Sequence, residues 1–504
     1  MRIKTFMAQN KEILILLLIY AVLYSFNLDK FPVISGDENY FLNPAYDLVM
    51  FGKMGTSMIY GFYNIANFTY WQPPVFILLM AASFKLFGFG ILQARMVSVF
   101  LGFLTVLFTY LLGLKLYNKK IGLMASFLLV LNPLFFLVSR TARMEIAVAC
   151  FMVIALYFTV LALKYSKMKY YFASALFATL AVLSHPNGVI AVLSVVMVIL
   201  IEKIDIKPFK LKFNLNKILA FILGVLIPLI PYSLYISMDV TAFKGQFMMN
   251  VGVSPSNPLN NIIMEPSRFV ELFWWFVRYD GVFLTFVMFA VALILTVLGL
   301  YYLVMERKLG DKFLLIVFMV TAVVFSIFVY HKYFIYLGLI TPYLSILIAL
   351  TLKDKITFQI NKKGVCSIFI LVLWIALIIG NCIFIDNFLE KTKGYDYYSI
   401  GSEVEKYIPA GSVVMGDHNY WIALHDKYRY YGRETGNKTS SMLVDLNIQY
   451  ILYDNYWGNG NIWTSEDKYI ENYVNQNCTL IGVIPANDSN GFVMTEIYRV
   501  NNKS

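Results

Sequence analysis

The sequence predicts a polytopic α-helical membrane protein that ends in a small α/β domain, and three observations carry this prediction. The 504-residue chain is 59% hydrophobic and only 14% charged, whereas a soluble domain carries about 25% charged residues. About eleven apolar runs are long enough to cross a bilayer as helices. From about residue 387 the chain becomes polar, and short strand-like runs alternate with helix-like segments.

The apolar runs are expected to be transmembrane helices. A further run at 73–88 is short for a span and carries Lys85. The N-terminus is basic, and no small-residue cleavage site follows the first apolar run, which predicts an uncleaved signal anchor. The expected spans are 12–28, 91–114, 121–138, 146–163, 170–184, 188–202, 218–237, 281–305, 313–330, 333–352 and 365–385.

Lys and Arg residues concentrate in alternate loops, which predicts the orientation. If 73–88 lies flat on the membrane, the loops with three to five Lys or Arg all fall on one side; they are Lys115–Lys120, Lys164–Lys169, Lys203–Lys217, Arg307–Lys312 and Lys353–Lys363. The short loops opposite carry at most two. Because cytoplasmic loops are enriched in Lys and Arg, we expect a cytoplasmic N-terminus in the cell membrane and an extracytoplasmic C-terminal domain.

The expected organisation is a transmembrane domain at 1–386 and an extracytoplasmic α/β domain at 387–504. The first external loop, about 29–90, should hold interfacial helices near 39–51 and 73–88. In the C-terminal domain the expected strands are 412–416, 448–453, 479–484 and 492–499, the expected helices are 397–407 and 439–446, and Asn455–Asn461 is a loop. The net charge of +11 reflects membrane orientation, so no nucleic acid partner is expected.

The first external loop contains two adjacent carboxylates, Asp37 and Glu38, which are the candidate catalytic residues. Neighbouring carboxylates can raise one pKa and produce a general base near neutral pH. They can equally hold a divalent cation, and an acidic pair in a loop is often only solvated. Ionisable residues at a membrane edge are costly, which favours a functional role.

Two short external turns carry the candidate substrate-binding residues. One holds Arg140, Arg143 and Glu145, and the other holds His331 and Lys332. Arginine side chains bind phosphate through forked hydrogen bonds. The alternatives are helix capping, snorkelling to lipid headgroups and aromatic anchoring at the interface.

Two further residues stand near the external ends of spans. Arg95 lies just inside the span 91–114, where it could bind an anionic headgroup or snorkel. His185 lies in the turn between two short helices, and a lone histidine is more often a packed residue than a ligand.

In these residues and their order the chain resembles the membrane glycosyltransferases of GT-C fold, in particular the protein O-mannosyltransferase and aminoarabinose transferase group. The resemblance covers about residues 10–350 and rests on short motifs; they are Asp37 to Tyr40, Gln72-Pro73-Pro74 with Gln93-Ala94-Arg95, Ser139 to Glu145, and Lys332 with Tyr336, Pro342 and Tyr343.

The resemblance implies inverting sugar transfer from a polyprenyl-phosphate donor to a protein, lipid or glycan acceptor outside the cytoplasm. Asp37 would be the base or a metal ligand, and basic residues such as Arg95, Arg143 and Lys332 would stabilise the leaving phosphate. A divalent cation, if used, would have Asp37, Glu145 and His185 as its candidate ligands. Membrane lipids are the other expected partner.

Two other classes of function compete with an enzyme. One is a transporter or flippase for lipid-linked sugars, and the other is a receptor whose external domain binds a partner. A transporter should carry charges deep within its spans, whereas here charge collects at one face. The P-loop, HExxH and GxSxG motifs are absent from the sequence.

Overall fold

A computed structural model describes residues 10–501 except 35, 62, 207–208, 212–213, 252–256, 307–308, 353–364, 392, 434–442, 455–464 and 487–493. Helices dominate the chain up to residue 391. In chain order they are α1 (Lys11–Ser25), α2 (Gly36–Phe51), α3 (Pro74–Phe87), α4 (Ile91–Leu116), α5 (Lys119–Leu131), α6 (Pro133–Val138), α7 (Glu145–Tyr165), α8 (Met168–Val182), α9 (Val189–Lys203), α10 (Leu215–Ser237), α11 (Val240–Val251), α12 (Pro258–Ile263), α13 (Glu265–Glu306), α14 (Leu309–Val323), α15 (Thr341–Leu350) and α16 (Val365–Lys391).

Each of the eleven expected spans coincides with helical structure over most of its length. A π turn at Val324–Phe328 extends α14, and a 3₁₀ segment at Phe334–Ile340 leads into α15. Six described helical segments are long and apolar enough on their own to cross a membrane; they are Ile91–Leu116, Glu145–Tyr165, Leu215–Ser237, Pro258–Glu306, Gly310–Phe328 and Ile368–Lys391. The total number of spans stays a prediction. The chain is a multi-pass helical membrane protein.

Helix α13 is longer than the sequence indicated. The segment 238–280 reads as an external loop, yet it contains α11, α12 and the first part of α13. The 42 residues of α13 would extend about 63 Å at 1.5 Å per residue, about twice the hydrocarbon thickness. Gly281 interrupts the helix with a φ of 74°, so the apolar part after it is separated from an amphipathic part before it.

Helices α2 and α3 occupy the places expected for the two interfacial helices. Proline at position 74 starts α3, where its fixed φ suits the first turn and its missing N–H is not needed. The 14 residues of α3 extend about 21 Å, which is too short for a hydrocarbon layer of about 30 Å. This length supports an interfacial position.

The C-terminal part is built on a five-stranded mixed sheet. Its described elements are α17 (Ser399–Val404), β3 (Val413–Gly416), α18 (Trp421–Leu424), β4 (Arg429–Gly432), β5 (Tyr450–Asp454), α19 (Ser465–Asn477), β6 (Cys478–Ile484) and β7 (Thr495–Val500); β1 (Ile204–Ile206) and β2 (Phe209–Leu211) form a separate hairpin. The strand order is β4-β3-β5-β7-β6. Strand β3 is parallel to β4 and β5, and β7 is antiparallel to β5 and β6.

The expected strands of this domain are present, and β4 is an addition. Strand β4 has only four residues, Arg429–Gly432, too few for a clear alternating pattern. The first half of the expected helix at 439–446 lies outside the described residues, as do the loop at Asn455–Asn461 and the basic loop Lys353–Lys363.

The sheet packs one face against the rest of the protein. Val414 and Leu452 belong to the continuous core that includes the membrane helices, whereas Met415 and Ile451 belong to a second core on the opposite face. Successive strand residues point to opposite faces, so the alternation in β3 and β5 joins the small domain firmly to the membrane part.

Candidate active site

A cavity of about 440 Å³ brings together six of the nine candidate residues. It lies between the start of α2, the turn before α7, the turn after α8 and the segment between α14 and α15. The candidates in its wall are Asp37, Arg143, Glu145, His185, His331 and Lys332. Glu38, Arg95 and Arg140 are not in the wall: Glu38 and Arg95 bind each other, and Arg140 binds backbone carbonyls.

Arg143 is the centre of the charged wall. Its Nε and Nη2 atoms lie 3.2 and 2.7 Å from the carboxylate of Glu145, and its Nη1 bonds to Asp37. Burial opposes the positive charge, but the carboxylates of Glu145 and Asp37 raise the pKa of Arg143 well above its ordinary value. Glu145 is 1% exposed, whereas the Asp37 side chain is 46% exposed. Asp37 is therefore the carboxylate of this group that a substrate can reach.

Glu38 is buried and points away from the cavity. It accepts bonds from Nε and Nη2 of Arg95 at 2.9 and 2.7 Å and from the backbone N–H of Ala142 at 2.8 Å. Both side chains are 0% exposed, and Arg95 also donates to the carbonyl of Leu28 at 2.9 Å. This geometry gives the pair a role in holding α2 against α4, and it offers no support for contact of Glu38 or Arg95 with a substrate.

Arg140 acts as a cap for the end of α1. The last carbonyl groups of a helix have no partner within the helix, and basic side chains can supply one. The buried Arg140 guanidinium donates to four backbone carbonyls at 2.6–3.1 Å; they belong to Leu23, Tyr24, Phe26 and Phe31. The contacts of Arg140 therefore support helix capping, which was one of the alternatives. They do not support a role in phosphate binding.

Lys332 belongs to a second charged group in the wall. Its Nζ atom lies 2.8 Å from a carboxylate oxygen of Glu265 and 2.7 Å from the carbonyl of Phe325. The same Glu265 accepts a bond from Arg268 at 3.1 Å. His331, the preceding residue, is exposed. A phosphate at this end of the cavity would compete with Glu265 for Lys332.

His185 is neutral in the fold. Its Nδ1 accepts the backbone N–H of Asn187 at 3.1 Å, which requires an unprotonated nitrogen. Burial lowers the pKa of His185 to about 4, despite the opposing charge of Glu145. Its ring lies 5.3 Å from the ring of Tyr336. The imidazole is a capping group on the cavity wall.

The proposed metal ligands do not form a metal site as arranged. Among the described residues there is no group of three His, Cys, Asp or Glu side chains positioned to hold a cation. Asp37 and Glu145 are both paired with Arg143. The guanidinium therefore occupies the position that the sequence prediction gave to a metal cation. The metal requirement stays a prediction.

Several residues of the wall were not among the sequence candidates. The polar and aromatic ones are Trp71, Gln72, Glu271, Tyr333 and Tyr336, with Phe41 and Met144 beside them. Glu271 had a usable signal, because a carboxylate within an apolar, aromatic stretch next to a span is costly unless it has a function. Gln72 and Tyr336 lie in motifs of the stated resemblance, but no residue chemistry singled them out.

Comparison with known structures defines the class of protein. The fold is similar to that of ArnT from Cupriavidus metallidurans bound to undecaprenyl phosphate, with a TM-score of 0.62 and 12% identity over 97% of this chain and 98% of that one. It is also similar to the Archaeoglobus fulgidus oligosaccharyltransferase, with a TM-score of 0.58 and 15% identity over 88% of this chain and 70% of that one. The protein has the GT-C fold.

Sequence comparison points to the same group. Residues 71–235 match the family model for dolichyl-phosphate-mannose-protein mannosyltransferase. An uncharacterized protein of Aquifex aeolicus (strain VF5) is 24% identical over 216 residues, which cover 42% of this chain and 42% of that protein. The resemblance to the GT-C glycosyltransferases that the sequence motifs indicated is thereby confirmed.

Proposed function

We propose that this protein transfers a sugar from a polyprenyl-phosphate donor to an acceptor outside the cytoplasm, with inversion at the anomeric carbon. The observation that supports this most directly is the half-exposed carboxylate of Asp37 in a cavity that also contains Arg143 and Lys332. One group can remove a proton from the acceptor, and the cations can meet a phosphate.

In the proposed reaction the acceptor nucleophile attacks the anomeric carbon from the face opposite the phosphate. Its proton passes to the carboxylate of Asp37, a new bond forms to the anomeric carbon, and the bond to the phosphate oxygen breaks. The electron pair leaves with the lipid phosphate, whose negative charge increases in the transition state. Fixed cations at that position lower the barrier.

Arg143 couples the two halves of this reaction. In the resting protein its guanidinium is shared between Glu145 and Asp37. When Asp37 accepts the proton, it loses its charge, and the attraction that holds Nη1 to it falls. The released N–H groups become available to the leaving phosphate at the time when its charge appears.

A lipid-linked donor also suits the surroundings of the cavity. Such a donor keeps its tail in the bilayer and its phosphate at the surface, at the depth of the helices α2 and α3. The similar ArnT structure is described as bound to undecaprenyl phosphate, and a structure of the A. fulgidus oligosaccharyltransferase AglB as in complex with an inhibitory peptide and a dolichol-phosphate. No nucleotide site is needed, because the sugar of this donor is already activated.

The test is a transfer assay with purified protein in lipid nanodiscs. Undecaprenyl- and dolichyl-phosphate sugars are supplied with candidate lipid, peptide and glycan acceptors, and mass spectrometry detects the product. We expect Asp37→Asn to lower kcat by about 10²–10⁴-fold, the range of general acid–base catalysis. Asp426→Asn, which changes an exposed acid outside the cavity, is the matched control and should keep wild-type activity.

Full transfer activity in folded Asp37→Asn would reject Asp37 as the base. In proteoliposomes, movement of intact donor across the bilayer with no new glycosidic bond would reject the transferase and support a flippase.

A further inference from the structure

Three consecutive residues at the start of α2 face three different surroundings. The side chain of Asp37 faces the cavity and is 46% exposed. Glu38 is 0% exposed and is bound to Arg95 of α4. Asn39 is also 0% exposed, and its partners belong to the C-terminal domain. The first turn of α2 is therefore held by contacts on two sides, while the side chain of Asp37 stays open to the cavity.

The C-terminal domain contacts both the nitrogen and the oxygen of the Asn39 side-chain amide. Nδ2 of Asn39 donates to the carbonyl of Asn419 at 3.4 Å, and Oδ1 accepts the backbone N–H of Ile422 at 3.2 Å. One donor and one acceptor on opposite sides fix the orientation of the amide. The next residue adds a ring contact, because Tyr40 stacks on His418 with ring centres 4.6 Å apart and planes 23° apart.

These contacts come from the carboxyl ends of the parallel strands. Asp417 follows β3 directly, is 1% exposed and accepts the backbone N–H of Asn419 at 2.8 Å, which shapes the turn that carries His418. Arg433, directly after β4, lies 3.3 Å from Asp417. In open α/β sheets this edge carries the functional loops. Here it is turned toward α2.

The same edge has a second attachment to the first external loop. The backbone N–H of Gly432, the last residue of β4, donates to the carbonyl of Met58 at 2.8 Å. Farther out, the hydroxyl of Tyr60 donates to Asp445 at 2.5 Å. The C-terminal domain thus forms hydrogen bonds both with the start of α2 and with the loop that follows the end of α2.

We propose that the C-terminal domain positions the catalytic carboxylate, acting through Asn39 and Tyr40 on α2 and through His418 and Asn419 in the turn after β3. This proposal rests on the proposed function of Asp37. A helix moves as a stiff unit, so a displacement of its first turn carries Asp37 with it. A displacement of about 1 Å of a reacting group can cost about 10²-fold in rate. Asn39 and Tyr40 contact the C-terminal domain, and His418 contacts α2. These three are therefore positioning residues.

The test separates positioning from simple support of the fold. Asn39→Ala removes both amide bonds, and His418→Ala removes the ring contact with Tyr40. His418→Phe keeps a ring at the same place and is the rescue variant. We expect the two alanine variants to lower kcat by about 10–100-fold, with KM for the donor within about twofold of wild type. His418→Phe should recover most of the loss.

Two further measurements make the result specific. In a double-mutant cycle, Asn39→Ala should add little to the loss already caused by Asp37→Asn, because a misplaced group and an absent group have the same consequence. Hydrogen exchange at the backbone amides of residues 38–43, measured without substrate, should become faster in both alanine variants at unchanged protection of α7.

Wild-type exchange at α2 in both alanine variants would overturn the proposal. So would a raised KM with unchanged kcat, which would mean that this interface binds substrate. Absence of transfer by the wild type with every donor would count against the proposed function alone, because exchange at α2 is measured without any reaction.

Discussion

Asp37 and Glu38 are neighbours in the sequence but have different environments, because consecutive helical side chains point about 100° apart. Asp37 reaches the cavity, and Glu38 reaches Arg95 in the protein interior. The sequence named both as catalytic candidates, since an acidic pair gives no indication of which side chain is buried. The structure shows Asp37 open to the cavity and Glu38 buried against Arg95, and on this ground the proposed reaction uses Asp37 as its base.

Glu38→Ala is expected to destabilise the fold. Removing one partner of a buried ion pair leaves an uncompensated charge on Arg95 and costs about 3–5 kcal/mol. Thermal unfolding in detergent should show a large fall in Tm for this variant and a small change for Asp37→Asn, whose side chain is partly exposed. A Glu38→Ala protein as stable as the wild type would reject the supporting role.

His185 predicts a specific dependence of stability on pH. Its pKa is about 4 in the fold and about 6.5 in an unfolded chain. Between these values the unfolded state binds a proton that the folded state does not bind. The contribution is therefore fully favourable above about pH 6.5 and is lost as the pH falls toward 4.

His185→Asn is the control, because asparagine can keep the bond from the N–H of Asn187 but does not titrate. We expect Tm of the wild type to fall relative to that of His185→Asn as the pH is lowered from 6.5 to 4. Parallel Tm curves across this range would contradict the lowered pKa, and other titrating groups cancel in the comparison.

At the scale of elements, close packing of α4 on α5 depends on two glycines. A Cβ atom on Gly113 would lie 2.8 Å from the Cα of Gly122, and one on Gly122 would lie 2.6 Å from the carbonyl oxygen of Tyr110. Backbone atoms cannot move aside as a flexible side chain can. Small residues at such crossings are common where helices associate within membranes.

Gly122→Ala should therefore destabilise the protein by about 1–3 kcal/mol, although alanine is favoured over glycine in a helix by about 1 kcal/mol. Gly394→Ala is the matched control, since a Cβ there meets nothing within 4 Å. Unfolding of both variants under the same conditions measures the difference. Equal stability of Gly122→Ala and wild type would mean that the two helices can separate at no cost.

The elements also show where local sequence signals were sufficient. Long apolar runs indicated the helices α4, α7 and α10, because each run exceeds the length that a bilayer requires. The amphipathic start of α13 escaped notice, because its apolar residues are mixed with charges such as Arg268 and Glu271. Strand β4 was not predicted, because a four-residue edge strand has too few residues to show an alternating pattern.

At the scale of the whole molecule, the orientation in the membrane stays a prediction with a direct test. In a cysteine-free background, Lys120→Cys in the first turn of α5 should react with an impermeant maleimide only from the cytoplasmic side. Asp426→Cys, on the C-terminal domain, should react only from outside, and both positions are exposed. Labelling of Lys120→Cys from outside would reverse the topology and put the cavity on the cytoplasmic side.

The sequence by itself determined the helical membrane class, the polar α/β end and the charged turns, because these depend on composition and on the length of apolar runs. Only the tertiary structure decided which charges meet. It joined Arg143 to Asp37, 106 positions away, used Arg140 to cap a helix, and turned the carboxyl ends of β3 and β4 toward α2. Burial and partner choice depend on contacts between residues far apart in the chain, and local pattern carries no record of them.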